Sequence, residues 1–330
     1  MDEIGRLLAK KVESVTPASF DELALEVFQY QAIYNRLYAD YIRLLHINPE
    51  SVKKVAQIPF LPIQFFKTQD IQTGKWEPET LFTSSGTTGP ITSRHLVRDL
   101  DFYLRNTRRG FEYFYGNLRE YCVLALLPSY LEREGSSLVA MANYFIQQSK
   151  YDFSGFFLYE QEALISILQK CKRSNIPILL LGVSFALWDL AEQHPMNLEG
   201  AIIMETGGMK GRRREIIRSD LHDILERAFH VKTIHSEYGM TELLSQAYAK
   251  SNGRFFNSPT IRILTRQITD PLANEKQEKT GVINIIDLAN VHTISFIATE
   301  DLGRVHEDHS FEVLGRLDAS DVRGCNLMVL

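Results

Sequence analysis

Short apolar runs alternate with segments of helical spacing through the middle of this 330-residue chain. Most of these runs are apolar throughout, which is typical of strands buried on both faces of a parallel sheet. We predict strands at residues 121–127, 156–159, 178–181, 201–204 and 231–234, with helices at residues 138–147, 163–171, 185–191 and 212–229. Regular alternation of this kind favours a layered α/β domain.

The flanking segments have different patterns. Apolar residues at three- and four-residue steps indicate helices within residues 1–46 and at residues 99–115. Pro59 and Pro62 interrupt the segment IPFLPIQFFK, which we predict to be an extended edge or loop, because proline cannot donate to a sheet ladder. A more antiparallel β subregion is predicted near the C-terminus, with strands at residues 261–265, 281–287 and 293–298.

Charge and cysteine content exclude several function classes. The formal net charge is -5, which does not support nucleic-acid binding over the whole chain. Three cysteines, widely separated, do not make a disulfide framework or a cysteine zinc site, and they suggest a reducing compartment. The N-terminus lacks the apolar run of a signal peptide, and the longest apolar stretch, residues 176–188, is too short to span a bilayer. We therefore expect a cytoplasmic protein without a membrane span.

A glycine-rich segment, TSSGTTGP, is the most informative motif. Glycine lets the backbone approach a ligand closely, and the hydroxyl side chains add donors for phosphate oxygens. The segment lacks the Gly-Lys-Ser/Thr of a Walker A loop and the Gly-x-Gly-x-x-Gly of a dinucleotide fold. A solvated turn is the alternative. The candidate phosphate-binding residues are Thr83, Ser84, Ser85, Gly86, Thr87, Thr88 and Gly89.

This segment resembles the phosphate loop of the adenylate-forming (ANL) superfamily, although the lysine that usually follows the Gly-Pro pair is absent. A second match, YGMTE, lies about 150 residues downstream and resembles the superfamily's Tyr-Gly-x-Thr-Glu motif. The resemblance implies that Tyr238 stacks on adenine, that Thr241 contacts the α-phosphate, and that Glu242 ligates Mg²⁺. Gly239 and Met240 would complete this part of the nucleotide site.

Three weaker motifs follow the order of the superfamily, although each alone could be a surface turn. TGGMK would place Gly207, Gly208 and Met209 in an adenine-binding loop. TEDLG would place Asp301 on the ribose hydroxyls, with a glutamate where the superfamily has glycine. GRLD resembles the hinge, and Arg316 would contact ribose or phosphate.

A short chain with IPFLPIQFFK, SSGTTG, SRH, LLPSYLEREGSSLV, ETGGMKG and a terminal Arg-Gly-Cys is similar to the acyl-protein synthetase (LuxE) family, over roughly residues 58–325. The resemblance implies a core over residues 1–315 with the N-terminal-domain fold of adenylate-forming enzymes, without the small C-terminal lid domain. Residues 316–330 would then form a hinge-like segment and a tail that carries Cys325. In that family a C-terminal cysteine carries the acyl group; a small buried residue is the alternative for Cys325. Cys122 and Cys171 are expected to lie in the core.

Further candidate residues surround these motifs. Lys67 could add a cation, and His95 follows the glycine-rich loop; both are candidate catalytic residues, with a solvated and a structural role as alternatives. By family resemblance, Ser129, Tyr130 and Ser136 lie beside the substrate carboxylate. Four apolar residues line either an acyl channel or the ordinary core: Leu127, Val183, Phe185 and Trp188.

Three functions are compatible with these motifs. The first is an ATP- and Mg²⁺-dependent ligase that activates a carboxylic acid, expected to be a fatty acid, and transfers it to a protein cysteine and on to a partner reductase. The second is an acid–CoA or acid–carrier-protein ligase whose lid is supplied in trans. The third is a nucleotide- or acyl-binding subunit without catalysis.

Overall fold

One mixed sheet organises the computed structural model, which describes residues 3–84, 92–128, 135–157, 160–207 and 216–317. The strand order is β11-β12-β13-β14-β10-β9-β8-β7-β6-β4-β5, and β1 pairs with β13. Strands β2 and β3 form a separate hairpin. No helix in the described ranges is long and apolar enough to cross a membrane.

The middle of the chain supplies the parallel half of this sheet. Its neighbours β4, β5, β6, β7 and β8 are all parallel, as the apolar runs predict. These strands are Cys122–Leu126 (β4), Gly155–Phe156 (β5), Ile178–Val183 (β6), Ile202–Thr206 (β7) and His235–Tyr238 (β8). Every residue of β4 and β6 is buried, because helices cover both faces.

The C-terminal half of the sheet is antiparallel, as predicted. Its strands are Ala247–Ala249 (β9), Arg254–Asn257 (β10), Ile261–Arg266 (β11), Thr280–Asp287 (β12), Phe296–Val305 (β13) and Phe311–Arg316 (β14). The remaining strands are Leu61–Pro62 (β1), Thr80–Thr83 (β2) and Arg94–Val97 (β3).

The helices lie mostly where helical periodicity predicts them. They are Glu3–Glu13 (α1), Phe20–Tyr34 (α2), Arg36–Leu44 (α3), Phe65–Thr68 (α4), Leu100–Tyr115 (α5), Ser137–Gln148 (α6), Gln161–Arg173 (α7), Ser184–Gln193 (α8) and Arg218–Phe229 (α9). Short 3₁₀ helices cover Pro49–Ser51, Val55–Gln57, Leu118–Glu120 and Leu288–His292. The side chain of Asp99 caps α5, because it accepts a hydrogen bond from Phe102 N at 2.7 Å.

Four sequence predictions need correction. The strand predicted at 231–234 is wrong: the strand is His235–Tyr238, and Ile234 is a buried residue just before it. The predicted helix 212–229 begins at Arg218, because Ile217 is extended; residues 212–215 lie outside the described ranges. The strand predicted at 293–298 instead covers Phe296–Val305. The segment IPFLPIQFFK contains the short edge strand β1, but it continues into helix α4 rather than remaining extended.

Candidate active site

The carboxyl ends of β7 and β8 bring two of the predicted motifs to one edge of the sheet. The strands are parallel neighbours, with Thr206 paired to Glu237. Gly207 therefore follows β7 beside Tyr238, the last residue of β8. Ligands bind at this edge of open parallel sheets, because the loops that leave the strands converge there.

The loop that leaves β8 carries the Tyr-Gly-Met-Thr-Glu motif and is fixed by a buried carboxylate. Asp287, the last residue of β12, accepts hydrogen bonds from the backbone amides of Leu244 and Ser245 at 2.7 and 3.0 Å. The hydroxyl of Ser245 donates to the same carboxylate at 2.5 Å. Burial raises the pKa of Asp287 to about 6, although these donors oppose the shift. The loop is therefore tied directly to the antiparallel half of the sheet.

Three further buried side chains hold this loop from other elements. Asn290 donates to the carbonyl of Glu242 at 2.8 Å, and Asn106 of α5 donates to the carbonyl of Leu244 at 2.8 Å. His95 of β3 lies 2.7 Å from the carbonyl of Thr241 through Nδ1 and 3.2 Å from the hydroxyl of Thr293 through Nε2. The backbone of the motif is thus specified by contacts far apart in the sequence.

His95 is fully buried. Burial lowers its pKa to about 4, so the ring is neutral at physiological pH. In that state one ring nitrogen donates and the other accepts, which matches the carbonyl and hydroxyl partners on its two sides. This geometry favours the structural alternative for His95, because both ring nitrogens are engaged by the protein itself.

Glu242 is a buried carboxylate in polar surroundings. Burial raises its pKa, while a hydrogen bond from Ser93 and the positive charges of Arg316 and Lys67 oppose the shift. Lys67 lies on α4, Ser93 precedes β3 and Arg316 ends β14. The fold therefore brings two candidate residues, Lys67 and Arg316, together with Ser93, from distant parts of the sequence to act on one carboxylate.

The ends of the glycine-rich loop are closed by two serines. The amide of Ser93 donates to Oγ of Ser84 at 2.9 Å, and the amide of Ser84 donates to the carbonyl of Ser93 at 3.1 Å. Thr83 ends β2, and its amide donates to the carbonyl of Gly135 at 2.8 Å. This last bond places Gly135, one residue before Ser136, beside the hairpin. The other candidates in this loop, residues 85–89, lie outside the described ranges.

Tyr238 and Asp301 form a direct contact between two motifs. The phenol of Tyr238 donates to Oδ2 of Asp301 at 2.8 Å, and both side chains are largely buried. The ring of Tyr238 packs edge-on against Phe255 and Phe311, at 5.9 and 5.7 Å between centroids. Asp301 lies within β13 rather than in a turn and pairs with Arg316 of β14. On the β12 side it falls in a break of the register, where its amide donates to Oγ1 of Thr299 at 3.1 Å.

Glu300, at the position where the motif of the resemblance has glycine, links Gln64, just before α4, to Arg316 of β14. Its carboxylate accepts from Gln64 at 2.6 Å and pairs with Arg316 at 3.2 Å. The substitution therefore supplies a counter-charge that orients Arg316 next to Asp301. Arg316 is half-exposed, so the pair itself contributes little to stability, about 0–1 kcal/mol.

A buried polar cluster supports the start of the predicted adenine loop. Ser184 donates to the carbonyl of Gly207 at 3.0 Å, and Gly207 has a positive φ of 69° that favours glycine. In β7, Oε1 of Glu205 lies 3.0 Å from Nε of Arg218 and 3.6 Å from Nε2 of His222. Burial acts to raise the pKa of Glu205, but the hydrogen bond with His222, the charge of Arg218 and the hydrogen bond with Ser236 together lower it. Gly208 and Met209 lie outside the described ranges.

The remaining predicted residues have clear outcomes where the structure describes them. Ser136 caps α6, because Oγ accepts from Val139 N at 3.3 Å. Ser129, Tyr130 and Cys325 lie outside the described ranges. Cys122 and Cys171 are buried, as predicted. The four residues offered as acyl channel or core are all buried in the hydrophobic core: Leu127, Val183, Phe185 and Trp188.

Sequence reasoning missed the residues that hold the motif loop. Asp287 and Asn290 lie in or beside an apolar strand, and Asn106 interrupts the buried face of α5. The signal available in the sequence was a polar residue at a position that the hydrophobic pattern assigns to the core. A buried polar group needs a partner, so each such position predicts a specific contact even when the partner is unknown.

The fold resembles solved structures of coenzyme A ligases. An open conformation of 2-hydroxyisobutyryl-CoA ligase, in complex with 2-HIB-AMP and CoA, gives a TM-score of 0.65 at 14% identity and covers 92% of this chain and 72% of the ligase. ATP-bound MatB from Rhodopseudomonas palustris gives a TM-score of 0.52 at 14% identity, and the match covers 72% of this chain and 47% of MatB. O-succinylbenzoate coenzyme A synthetase (MenE) from Bacillus subtilis, in complex with ATP and magnesium ion, gives a TM-score of 0.51 at 17% identity. This match covers 72% of this chain and 50% of MenE.

These likenesses confirm the predicted fold class, an α/β fold like that of the N-terminal domain of adenylate-forming enzymes. This chain spans about half the length of the MatB structures. No protein-family profile and no curated protein sequence matches it.

Proposed function

We propose that this chain uses ATP and Mg²⁺ to activate a carboxylic acid as an acyl-adenylate and then passes the acyl group to a thiol. The observation that carries the proposal is that Glu242 is buried in the loop after β8, hydrogen-bonded by Ser93 and within reach of the positive charges of Arg316 and Lys67. A buried carboxylate beside two cations, at the edge where parallel strands end, suits a metal-bound polyphosphate. The order of the motifs and the fold of the ligase structures support the same reaction.

Mg²⁺ fits the chemistry of Glu242. The ion is bound through one or two carboxylates, with water and substrate phosphates as its other ligands. The described residues contain no cluster of three side chains that could hold a metal alone, which agrees with such a shared site. When bound, Mg²⁺ would neutralise charge that develops on the phosphate oxygens.

The chain's own residues would position the reactants. Lys67 and Arg316 would attract the phosphates, and Asp301 would accept hydrogen bonds from the ribose hydroxyls. The substrate carboxylate oxygen attacks the α-phosphorus; the bond to the bridging oxygen breaks, and pyrophosphate leaves with the electron pair. The loop held by Asp287 would keep Thr241 and Glu242 fixed, so little reorganisation is needed during this step.

The finer proposal is transfer of a fatty acyl group to Cys325. The thiolate attacks the acyl carbon, a thioester forms, and AMP leaves with the electrons of the broken C–O bond. Arg323 would favour the thiolate, and Gly324 would give the cysteine freedom to move between sites. A partner reductase or acyl carrier would then accept the group.

The structural neighbours favour a second acceptor. The 2-hydroxyisobutyryl-CoA ligase structure holds 2-HIB-AMP and CoA. By that likeness, this chain would transfer the acyl group to CoA or to a carrier's pantetheine thiol. The first half-reaction and its residues are the same in both proposals.

Acid-dependent exchange of labelled pyrophosphate into ATP tests the first half-reaction. A panel of short, long and aromatic acids should give exchange with at least one class. Glu242→Gln should reduce the exchange rate by about 100-fold or more, because the oxygen that binds the metal loses its charge. Glu50→Gln, which alters an exposed glutamate, should match the wild type. Binding of ATP without exchange for any acid would instead support a non-catalytic subunit.

Acyl labelling separates the two acceptors. Radiolabelled acid, ATP and Mg²⁺ should label the protein at Cys325, and Cys325→Ala should lose the label while exchange continues. Cys122 and Cys171 remain in that variant and act as internal controls, since both thiols are buried. Label that survives in Cys325→Ala would rule out Cys325 as the carrier. Product formation that requires CoA would support the second acceptor.

A further inference from the structure

A cleft of about 560 Å³ lies against α5 and contains none of the candidate active-site residues. Its walls come from residues 15–17 between α1 and α2, from α5, from Tyr144 of α6 and from Pro259. Its volume falls within the range of about 300–1,000 Å³ that is usual for small-molecule pockets.

Apolar surfaces make up much of the cleft. Val15, Pro17 and Pro259 present aliphatic groups, and Tyr113 and Tyr144 present aromatic rings. Tyr113 is 56% exposed although its ring is large and apolar. Walls of this kind suit a planar apolar ligand, because rings and prolines cover its faces with little loss of side-chain entropy.

Most of the charged side chains that line the cleft are arginines. Arg105, Arg108 and Arg109 line the cleft, against a single lining carboxylate, Glu112. Arg105 pairs with Glu13 at 2.9 Å, and Arg108 pairs with Glu112 at 2.9 Å. Two of the guanidinium groups are therefore already matched to carboxylates.

Arg109 differs from its neighbours. It donates to the carbonyl of Val12 at 2.8 Å and to that of Val15, at the end of α1. Among the residues that the structure describes, no carboxylate lies within ion-pair distance of its guanidinium. Burial lowers the pKa of Arg109, and the charge of Glu13 opposes this shift only in part. A half-buried cation of this kind is stabilised by an anion that approaches from the open side.

The cleft and the motif loop lie on different faces of α5. Asn106 belongs to the buried face and bonds to the motif loop, whereas Arg105 and Arg109 line the cleft. Pro259 is adjacent to Thr260, whose hydroxyl lies 2.8 Å from that of Ser245. The cleft is thus separate from the candidate active site but shares its supporting elements.

We propose that this cleft is a second binding site, for a small organic anion with a planar apolar body and a carboxylate or phosphate group. Arg109 provides the cation, and the rings of Tyr113 and Tyr144 cover the apolar body. A guanidinium binds either anion through parallel hydrogen bonds, so the two head groups are tested separately.

Calorimetry with phenyl phosphate and with benzoate tests the site, and benzyl alcohol serves as the neutral comparison. Saturable binding of at least one anion, weakened by added salt, is expected, with none for the alcohol. Arg109→Gln should weaken binding by about 10-fold or more. Tyr113→Ala changes an exposed ring and should weaken it several-fold, which keeps the test decisive if Arg109→Gln does not fold.

Two controls locate the ligand. Arg43→Gln alters an exposed arginine elsewhere, and Arg316→Gln removes a cation of the candidate nucleotide site; both should bind phenyl phosphate as the wild type does. Loss of binding in Arg316→Gln would place the anion in the nucleotide site and overturn the proposal. The proposal would also be overturned if neither anion bound saturably, or if the affinity for phenyl phosphate were equal in Arg43→Gln, Arg109→Gln and Tyr113→Ala.

Discussion

The phenol of Tyr238 donates a hydrogen bond to the carboxylate of Asp301 at 2.8 Å. The two residues are 63 positions apart and belong to different sequence motifs. Strands β8 and β13 are not neighbours in the sheet, so this contact depends on the curvature and packing of the strands between them. It places the predicted adenine and ribose contacts next to each other.

Loss of this hydrogen bond should weaken nucleotide binding. Tyr238→Phe leaves the buried carboxylate of Asp301 without its donor, which costs about 1–3 kcal/mol. We expect a higher KM for ATP and a lower melting temperature. Tyr248→Phe is the matched control, because the buried hydroxyl of Tyr248 has no hydrogen-bond partner among the described residues. Equal effects in the two variants would contradict a specific role for the Tyr238–Asp301 bond.

His95 should make stability depend on pH. Its pKa is about 4 in the folded protein and about 6.5 when unfolded, so the unfolded state binds more protons between these values. The free energy of unfolding therefore decreases as the pH falls from 6.5 to 4, by about 3 kcal/mol in total. Melting curves at pH 7 and 5 should show a smaller difference in His95→Asn than in the wild type. The exposed His309→Asn should leave that difference unchanged.

Asp287 should be required for a rigid motif loop. Asp287→Asn replaces one carboxylate oxygen by an NH₂ group among the N–H donors of Leu244, Ser245 and Ala289. We expect a loss of about 2–4 kcal/mol in unfolding free energy and slower pyrophosphate exchange. Denaturant titration and exchange assays measure these effects. Asp308→Asn, at an exposed turn, should change stability much less; equal losses in both would refute the role of Asp287.

Gly239 should resist substitution because of Glu237. A Cβ at Gly239 would collide with Oε1 of Glu237, a buried carboxyl whose Oε2 accepts from Thr206. We expect Gly239→Ala to lower both stability and exchange activity. Adding Glu237→Ala should recover part of the activity, since it removes the collision. Gly155→Ala, whose Cβ would lie 3.8 Å from Phe157, is the control. A double variant no better than Gly239→Ala would exclude this contact as the cause.

Local patterns in the sequence predicted the order and type of most elements. The apolar run at Cys122–Leu126 and the helical spacing at Leu100–Tyr115 match the structure closely, since both depend on residue periodicity alone. The strand at His235–Tyr238 was misplaced because its residues are mostly polar. Those polar groups are buried against partners from other elements, and periodicity cannot reveal such partners.

The sequence by itself determined the layered α/β fold class and the presence of the glycine-rich and Tyr-Gly-Met-Thr-Glu motifs, because hydrophobic periodicity and motif spacing are local properties. Only the tertiary structure decided that Ser93 and the charges of Lys67 and Arg316 act on Glu242, and that Asp287, Asn290 and Asn106 hold its loop. These contacts join residues far apart in the chain. They form because the packing of helices and strands brings buried polar groups together, where each must find a partner.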